Sequence, residues 1–442
     1  MIIPDELKKL AKLFPTPLYV VGGAVRDALS GREVHDYDLT SSLVAEEVLS
    51  LLSGTEFKAA PHSLKLGTLG IKVGSWVMEY TAFRRDSYAG SGSHAPEKVE
   101  FNCTQLDDAL RRDFTVNAIY YDILKGEIVD PLGGVEDIKR GVLRTTRAPG
   151  EVMEEDALRI LRLVRFACSF NYEIEELTYF EARARAHTLQ EIAVERIREE
   201  FGKILVSDTV NGVKDAHIRG IKLMVELGLM EYVVPEILEG IGVKQNAKYH
   251  VHDVFNHTLE AVRVAPQHLR LVAFLHDVGK PRSIGPDGHM TGHAKVGAEM
   301  ARVIMTRLLY PHRDVEYAVR LIENHMFNVK CNLPADDVRV FALNNYDILL
   351  DLCDLKNADF YAHKMEMGES PAGRVLQNEY TGMLASGVAF SVKDLPVSGQ
   401  DLIDEEVAPE KRATLLKALL THGARLGRAL TKEECLAFIR NR

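Results

Sequence analysis

The chain has 442 residues, of which 46% are hydrophobic and 27% charged, with a net charge of −10. This length allows about three domains, and the composition is that of soluble globular protein with material for several buried cores. No apolar run approaches the ~20 residues that span a bilayer, and the acidic balance excludes a globally basic nucleic-acid binder, so any such surface must be local.

The chain opens with MIIPDELKKLAKLF, which reads as a short amphipathic helix without a signal peptide's apolar core or cleavage site. Strands are expected at YVV (19–21), DYDLT (36–40), TLGIKV (68–73), SWVMEYTAF (75–83) and KVEF (98–101), all rich in β-branched and aromatic residues. RRDSYAGSGSHAPEK (84–98) reads as a mobile loop. From about residue 146 the strand signals vanish. EEDALRILRLVRFACSF (154–170) sets Leu158, Leu161, Val164 and Phe166 at near-helical spacing, and later segments repeat that style. Breaks fall at 366–373 and 393–400. The five cysteines, Cys103, Cys168, Cys331, Cys353 and Cys435, are scattered without a CxxC. They fit a reducing cytoplasm and argue against a disulfide framework or a zinc–thiolate site.

VVGGAVRDALSGREVHDYDLTSS (20–42) carries the first chemistry. A strand ending at Val21, the pair Gly22–Gly23 and a helix from Ala24 to Leu29 form a strand–turn–helix unit. Glycine lets a phosphate approach the backbone, and the helix start offers free N–H groups. Arg26 can add a bidentate phosphate contact. A Gly pair alone is more often an ordinary tight turn, but the acids change that balance. Residues i and i+2 of a strand share a face, so Asp36 and Asp38 project together while Tyr37 points away. Two such carboxylates repel unless a cation lies between them. Magnesium, a hard ion preferring oxygen, suits the pair, and two metals so held activate a hydroxyl and stabilise leaving pyrophosphate.

GGAVRDALSGREVHDYDLT resembles the signature of class II tRNA nucleotidyltransferases and bacterial poly(A) polymerases, of the polymerase-beta-like nucleotidyltransferase superfamily. The resemblance continues through RRDFTVNAIYYD (111–122), DPLGGVEDIKRGVLR (130–144), EEDALRILRLVRFA (154–167) and VERIREEF (194–201). It implies an α+β chain. A nucleotidyltransferase head with a mixed sheet and helices (1–145) would precede a helical neck that selects nucleotide and binds RNA (146–236). An HD metal-dependent phosphohydrolase-like domain (237–375) and a helical tail (376–442) would follow. It assigns catalytic magnesium to Asp36 and Asp38, triphosphate and ribose contacts to Arg112 and Asp113, and base selection to Asp156 and Arg159.

The last pair has a chemical logic. Asp156 and Arg159, three apart in an apolar-periodic helix, are expected on one face. Cytosine and adenine each present an amine donor beside a ring-nitrogen acceptor. A carboxylate accepts from the amine and a guanidinium donates to the ring nitrogen. Guanine and uracil present the reverse, leaving a charge against the wrong partner. The bland alternative is a surface ion pair contributing at most ~1 kcal/mol. Arg162 and Arg165 extend a basic stripe, either toward phosphates or balancing Glu154 and Glu155. Glu79, in MEYTAF, is a candidate third carboxylate. In SGSHAPEK, Ala95 precedes Pro96 where the family carries Arg or His, a departure in the loop it uses to switch from C to A addition.

A second constellation lies in YHVHDVFNHTLEAV (249–262) and LRLVAFLHDVGKP (269–281). His276 and Asp277 follow an apolar helical run, and His257 with Asp359 could complete a four-ligand nitrogen–oxygen site. The spacing resembles the HD phosphohydrolase superfamily, which implies that His257, His276, Asp277 and Asp359 bind a divalent transition metal. His293 and His325 match further positions around such sites, and Lys280 could meet a phosphate as a point charge. Against this, HD dipeptides occur by chance and histidines often satisfy cores.

The resemblance implies an enzyme that adds CCA to tRNA from CTP and ATP, with a homodimer among the states open to it. Its HD domain would be a phosphodiesterase or phosphatase. The alternatives are an A-adding enzyme or poly(A) polymerase, a hydrolase whose head is a relic, and a non-catalytic RNA binder.

Overall fold

The computed structural model describes residues 1–34, 36–88, 96–365 and 368–441. The chain forms two compact units, Met1–Val233 and Val234–Arg442.

In the first unit the strands are β1 (Tyr19–Val21), β2 (Asp38–Ser41), β3 (Lys58–Ser63), β4 (Thr68–Val73), β5 (Trp76–Ala82), β6 (Arg85–Ser87), β7 (Lys98–Glu100), β8 (Tyr120–Asp122) and β9 (Ile128–Val129). Seven of them form one mixed sheet in the order β3-β4-β5-β2-β1-β8-β9. β2 and β5 run parallel, and β1 lies antiparallel to both β2 and β8. Val20, Leu39, Leu69, Ile71, Met78 and Tyr80 bury one face against Leu7 and Leu10 of the helix Asp5–Ala11 and Val48 of the helix Ala45–Leu52. Burying each such side chain contributes about 1.5–3 kcal/mol, which anchors the interior strands β1 and β2 where the acids emerge.

Asp36 lies just outside β2, which starts at Asp38. The expected alternation still holds. Tyr37 is buried and stacks on Trp76 at 5.9 Å, whereas Asp36 and Asp38 are exposed. KVEF does not join the main sheet. It pairs with Arg85–Ser87 as an antiparallel ribbon, so the segment read as loop has ordered flanks. Residues 89–95, where the middle of that loop and its departure at Ala95 fall, lie outside the described residues. β3 was not expected, because KAAPHS lacks apolar alternation. It is an edge strand, where Pro61 removes no needed donor.

Beyond residue 146 the first unit is helical, except that Glu173–Ile174 pairs with Val142–Leu143. The expectation of one continuous helix carrying Asp156 and Arg159 is corrected. A helix covers Pro149–Glu155, Asp156 is extended (φ −147°, ψ 102°), and a second helix runs from Leu158 to Phe170. The Asp156 carboxylate accepts the backbone N–H of Leu158. Short acidic side chains compete for backbone donors and favour helix ends over interiors.

Among its described residues the second unit has helices and turns but no strand. The helices Val254–Val264, Arg270–Leu275, His293–Arg307, His312–Asn324 and Leu349–Lys364 enclose a histidine-rich centre.

Candidate active site and metal centre

The turn after β1 sets the first site. Gly22 has φ +76°, a conformation that costs most residues strain, and its N–H donates to the Ile119 carbonyl. A Cβ there would stand 3.6 Å from Arg112 Nη1 and 4.0 Å from Asp38 Oδ2, so the glycine turn, the arginine and the acid converge. In the β2–β5 register Leu39 opposes Tyr80, which makes Glu79 the cross-strand neighbour of Asp38. Crowding by protein, Asp36 and Glu79 push the Asp38 carboxyl up to about 6 against the pull of Arg112. Three acids around one strand end, one with its charge disfavoured, fit a hard divalent cation.

Arg26 has other partners than the phosphate expected for it. It is buried, its Nη1 donates to Asn117 at 2.6 Å, it pairs with Asp27, and it lies 4.2 Å from the Phe170 ring centre. The helix after Gly22, Gly23–Leu29, has only seven residues, so its dipole contributes little, and Gly23 serves the chain's entry into it.

Asp113 accepts from Asn117 and Arg162, the latter at 2.5 and 2.8 Å. Burial alone would raise this carboxyl, but Arg162, with Asn117 and Arg159, outweighs it and holds it at about 2. Arg165 pairs with Glu200 at 2.7 Å, so neither arginine of the stripe pairs with Glu154 or Glu155 in that way. Asp156 and Arg159 do not bond each other. Asp156 Oδ2 accepts from Arg196, while Arg159 donates to Glu155 and to the carbonyls of Val152 and Arg111. Each is fixed by separate partners, as two independent reading groups would need.

The second unit brings the HD residues together. His257 Nε2 lies 2.9 Å from Asp359 Oδ1 and 3.2 Å from Asp277 Oδ2, and His276 Nε2 lies 3.1 Å from the same Asp277 oxygen. All four are buried. On the other side of Asp277, Oδ1 faces His293 Nε2 at 3.4 Å and His325 Nε2 at 3.8 Å. His276, His293 and His325 each set Nδ1 against the carbonyl three residues earlier, at 2.7, 2.8 and 2.6 Å. A carbonyl only accepts, so Nδ1 carries a hydrogen and Nε2 is the nitrogen turned inward, as in metal-binding histidines.

Both Asp277 oxygens and His276 Nε2 are buried without a partner in hydrogen-bond geometry. Burial would lower the His276 pKa, but Asp277 and Asp359 outweigh it and push it to about 10. A proton is held where a divalent cation would satisfy the same lone pairs. The donor set of imidazole nitrogens and carboxylate oxygens fits a transition metal. Lys280 does not point to an open phosphate position; its Nζ lies 2.5 Å from Asp277 Oδ2 and 2.8 Å from Gln245 Oε1.

Residues 18–144 match the family described as Poly A polymerase head domain, 171–240 the Probable RNA and SrmB- binding site of polymerase A, and 236–362 the HD domain. The A-adding tRNA nucleotidyltransferase of Deinococcus radiodurans is 32% identical, over 96% of this chain and 95% of its own. This chain belongs to the class II tRNA nucleotidyltransferases with an HD domain. The CC-adding tRNA nucleotidyltransferase of Thermus thermophilus is 33% identical, over 96% and 93% of the two chains. The CCA-adding enzyme of Bacillus stearothermophilus in complex with CTP shares the fold (TM-score 0.69, 24% identity, covering 100% of this chain and 98% of that one). The family membership makes the protein a nucleotidyltransferase. Among the described residues no helix is long and apolar enough to cross a membrane.

Sequence reasoning missed Arg196 and Asn117, which fix Asp156 and Asp113, although both lie inside motifs it quoted. It also missed Gly279 and Gly297. A Cβ on Gly279 would meet the Gly297 nitrogen at 2.3 Å and the His293 carbonyl at 2.5 Å, so these glycines let the HD turn approach the His293 helix.

Proposed function

We propose that the protein adds CCA to the 3′ end of tRNA from CTP and ATP, without a nucleic-acid template. The observation that carries this reading is the convergence of Asp38 and Arg112 on the Gly22 turn, with Glu79 beside Asp38, in a chain of this family. Asp36 and Asp38, with Glu79 beside them, would hold magnesium, which when bound lowers the pKa of the attacking hydroxyl and neutralises the leaving group. Arg112 and the Gly22 turn bind the triphosphate, and Asp113 orients the ribose. The tRNA 3′-oxygen bonds to the α-phosphorus as the bond to the bridging oxygen breaks; pyrophosphate leaves and the hydroxyl proton passes to water. Asp156 accepts from the exocyclic amine and Arg159 donates to the ring nitrogen of cytosine or adenine.

The test supplies tRNA ending at the discriminator base, after one C and after two, with each labelled nucleotide separately. Two C additions followed by one A support the assignment. A second reading, addition of only C or only A, is favoured by the names of the two full-length relatives, and C without A, or A on the last substrate alone, would select it.

The HD centre holds a divalent transition metal through His257, His276, Asp277 and Asp359, with His293 and His325 on the second oxygen of Asp277. It acts as a phosphodiesterase or phosphatase. Hydrolysis of 2′,3′-cyclic phosphates with nickel, manganese or magnesium tests this, and absence of both activity and bound metal would reduce the centre to scaffold.

A further inference from the structure

We propose that Asp108 is a positioning residue for nucleotide binding, gripping one edge of the Arg112 guanidinium so that the other edge is presented at the Gly22 turn. This rests on the reading of that turn, Arg112 and the acids as the triphosphate site.

Asp108 lies on the helix Gln105–Leu110 and is fully buried. Its Oδ2 accepts Arg112 Nε at 3.2 Å, Arg112 Nη2 at 3.0 Å and the Tyr120 hydroxyl at 2.7 Å. Its Oδ1 accepts Arg111 Nε at 2.8 Å. A carboxylate is costly to bury unless its lone pairs are met, and these are met by two guanidinium groups and a phenol. The guanidinium is a rigid planar fork, so fixing one edge fixes the direction of the other. Asp108 takes the Nε and Nη2 edge. Nη1 is left 3.6 Å from the point a Gly22 Cβ would occupy, with Asp38 Oδ2 4.0 Å from that point. Both Arg112 bonds end on Oδ2, which also accepts from Tyr120, so the guanidinium is tied through this one oxygen to the helix Gln105–Leu110 and to β8.

Competitive inhibition by pyrophosphate at fixed magnesium isolates the phosphate contact from base reading. In Asp108→Asn, which keeps the shape and removes the charge, the inhibition constant and the KM for CTP and ATP are expected to rise together by about tenfold. The kcat should change less than about threefold, and the preference for CTP over UTP should persist because the base is read elsewhere. Asp108→Glu keeps the charge one methylene away and should lose less, about threefold; it decides the matter if the Asn variant does not fold. Wild-type inhibition by pyrophosphate that is unchanged in the folded variants would overturn the inference alone, as would a fall in kcat with KM unmoved. A wild-type enzyme that pyrophosphate does not inhibit would overturn the nucleotide-site reading and this inference with it.

Discussion

At the scale of single residues, Asp108, Asp113, Asp156 and Arg159 are each held by named partners. Asp156 is held by Arg196 and by the Leu158 N–H, so replacing it should disturb selection before phosphate binding. Asp156→Ala is expected to lower the kcat/KM preference for CTP over UTP by about ten- to a hundredfold, with pyrophosphate inhibition intact. Full selectivity in that variant would end the base-reading role. Asp113 carries a pH signature. Its folded pKa, about 2, lies below the ordinary carboxyl value of 3.8, so it contributes stability that is present above the higher value and lost as pH falls through the lower. The shift corresponds to about 2 kcal/mol. Urea unfolding of Asp113→Asn should therefore show a flatter decline between about pH 4 and pH 2 than the wild type, and an identical decline would mean the Arg162 pair contributes nothing.

At the scale of elements, the backbone that carries the candidate site was legible in part. β1, β2, β4 and β5 were legible because YVV, DYDLT, TLGIKV and SWVMEYTAF are rich in the β-branched and aromatic residues that suit a pleated, half-buried surface. β3 was not, since an edge strand with little burial needs no such pattern. The helix break at Asp156 was hidden for another reason. The apolar periodicity of Leu158, Leu161 and Val164 says where a helix runs, but its start is set by one local bond from an Asp side chain, which periodicity does not register. Gly279 is a third kind of miss, because its meaning lies in the opposing helix. Gly279→Ala would drive a Cβ into the Gly297 and His293 backbone. It should lower stability by about 1–3 kcal/mol, read as a reduced Tm. Bound metal should fall in the same variant, as His293 is displaced from Asp277. An unaltered Tm would show that this close approach is not needed.

At the scale of the whole molecule, the two compact units each carry a candidate site of their own. The HD centre lies wholly within Val234–Arg442, and metal that binds only the folded form stabilises the unit that holds it. Chelation without nucleotide should therefore speed amide hydrogen exchange in the helix Val254–Val264 by at least about tenfold, leaving the strand Tyr19–Val21 unchanged. Equal acceleration in both would contradict a metal that stabilises the second unit through the HD centre. The membership of the family was legible from ordered motifs alone.

The central claim, that Asp36 and Asp38 hold the magnesium through which nucleotide is transferred, is tested most directly by single-turnover CMP incorporation into tRNA lacking its CCA end. Asp38→Ala is predicted to slow that step by on the order of a thousandfold, the several kcal/mol a catalytic metal supplies. Incorporation by the folded variant at the wild-type rate would contradict the account.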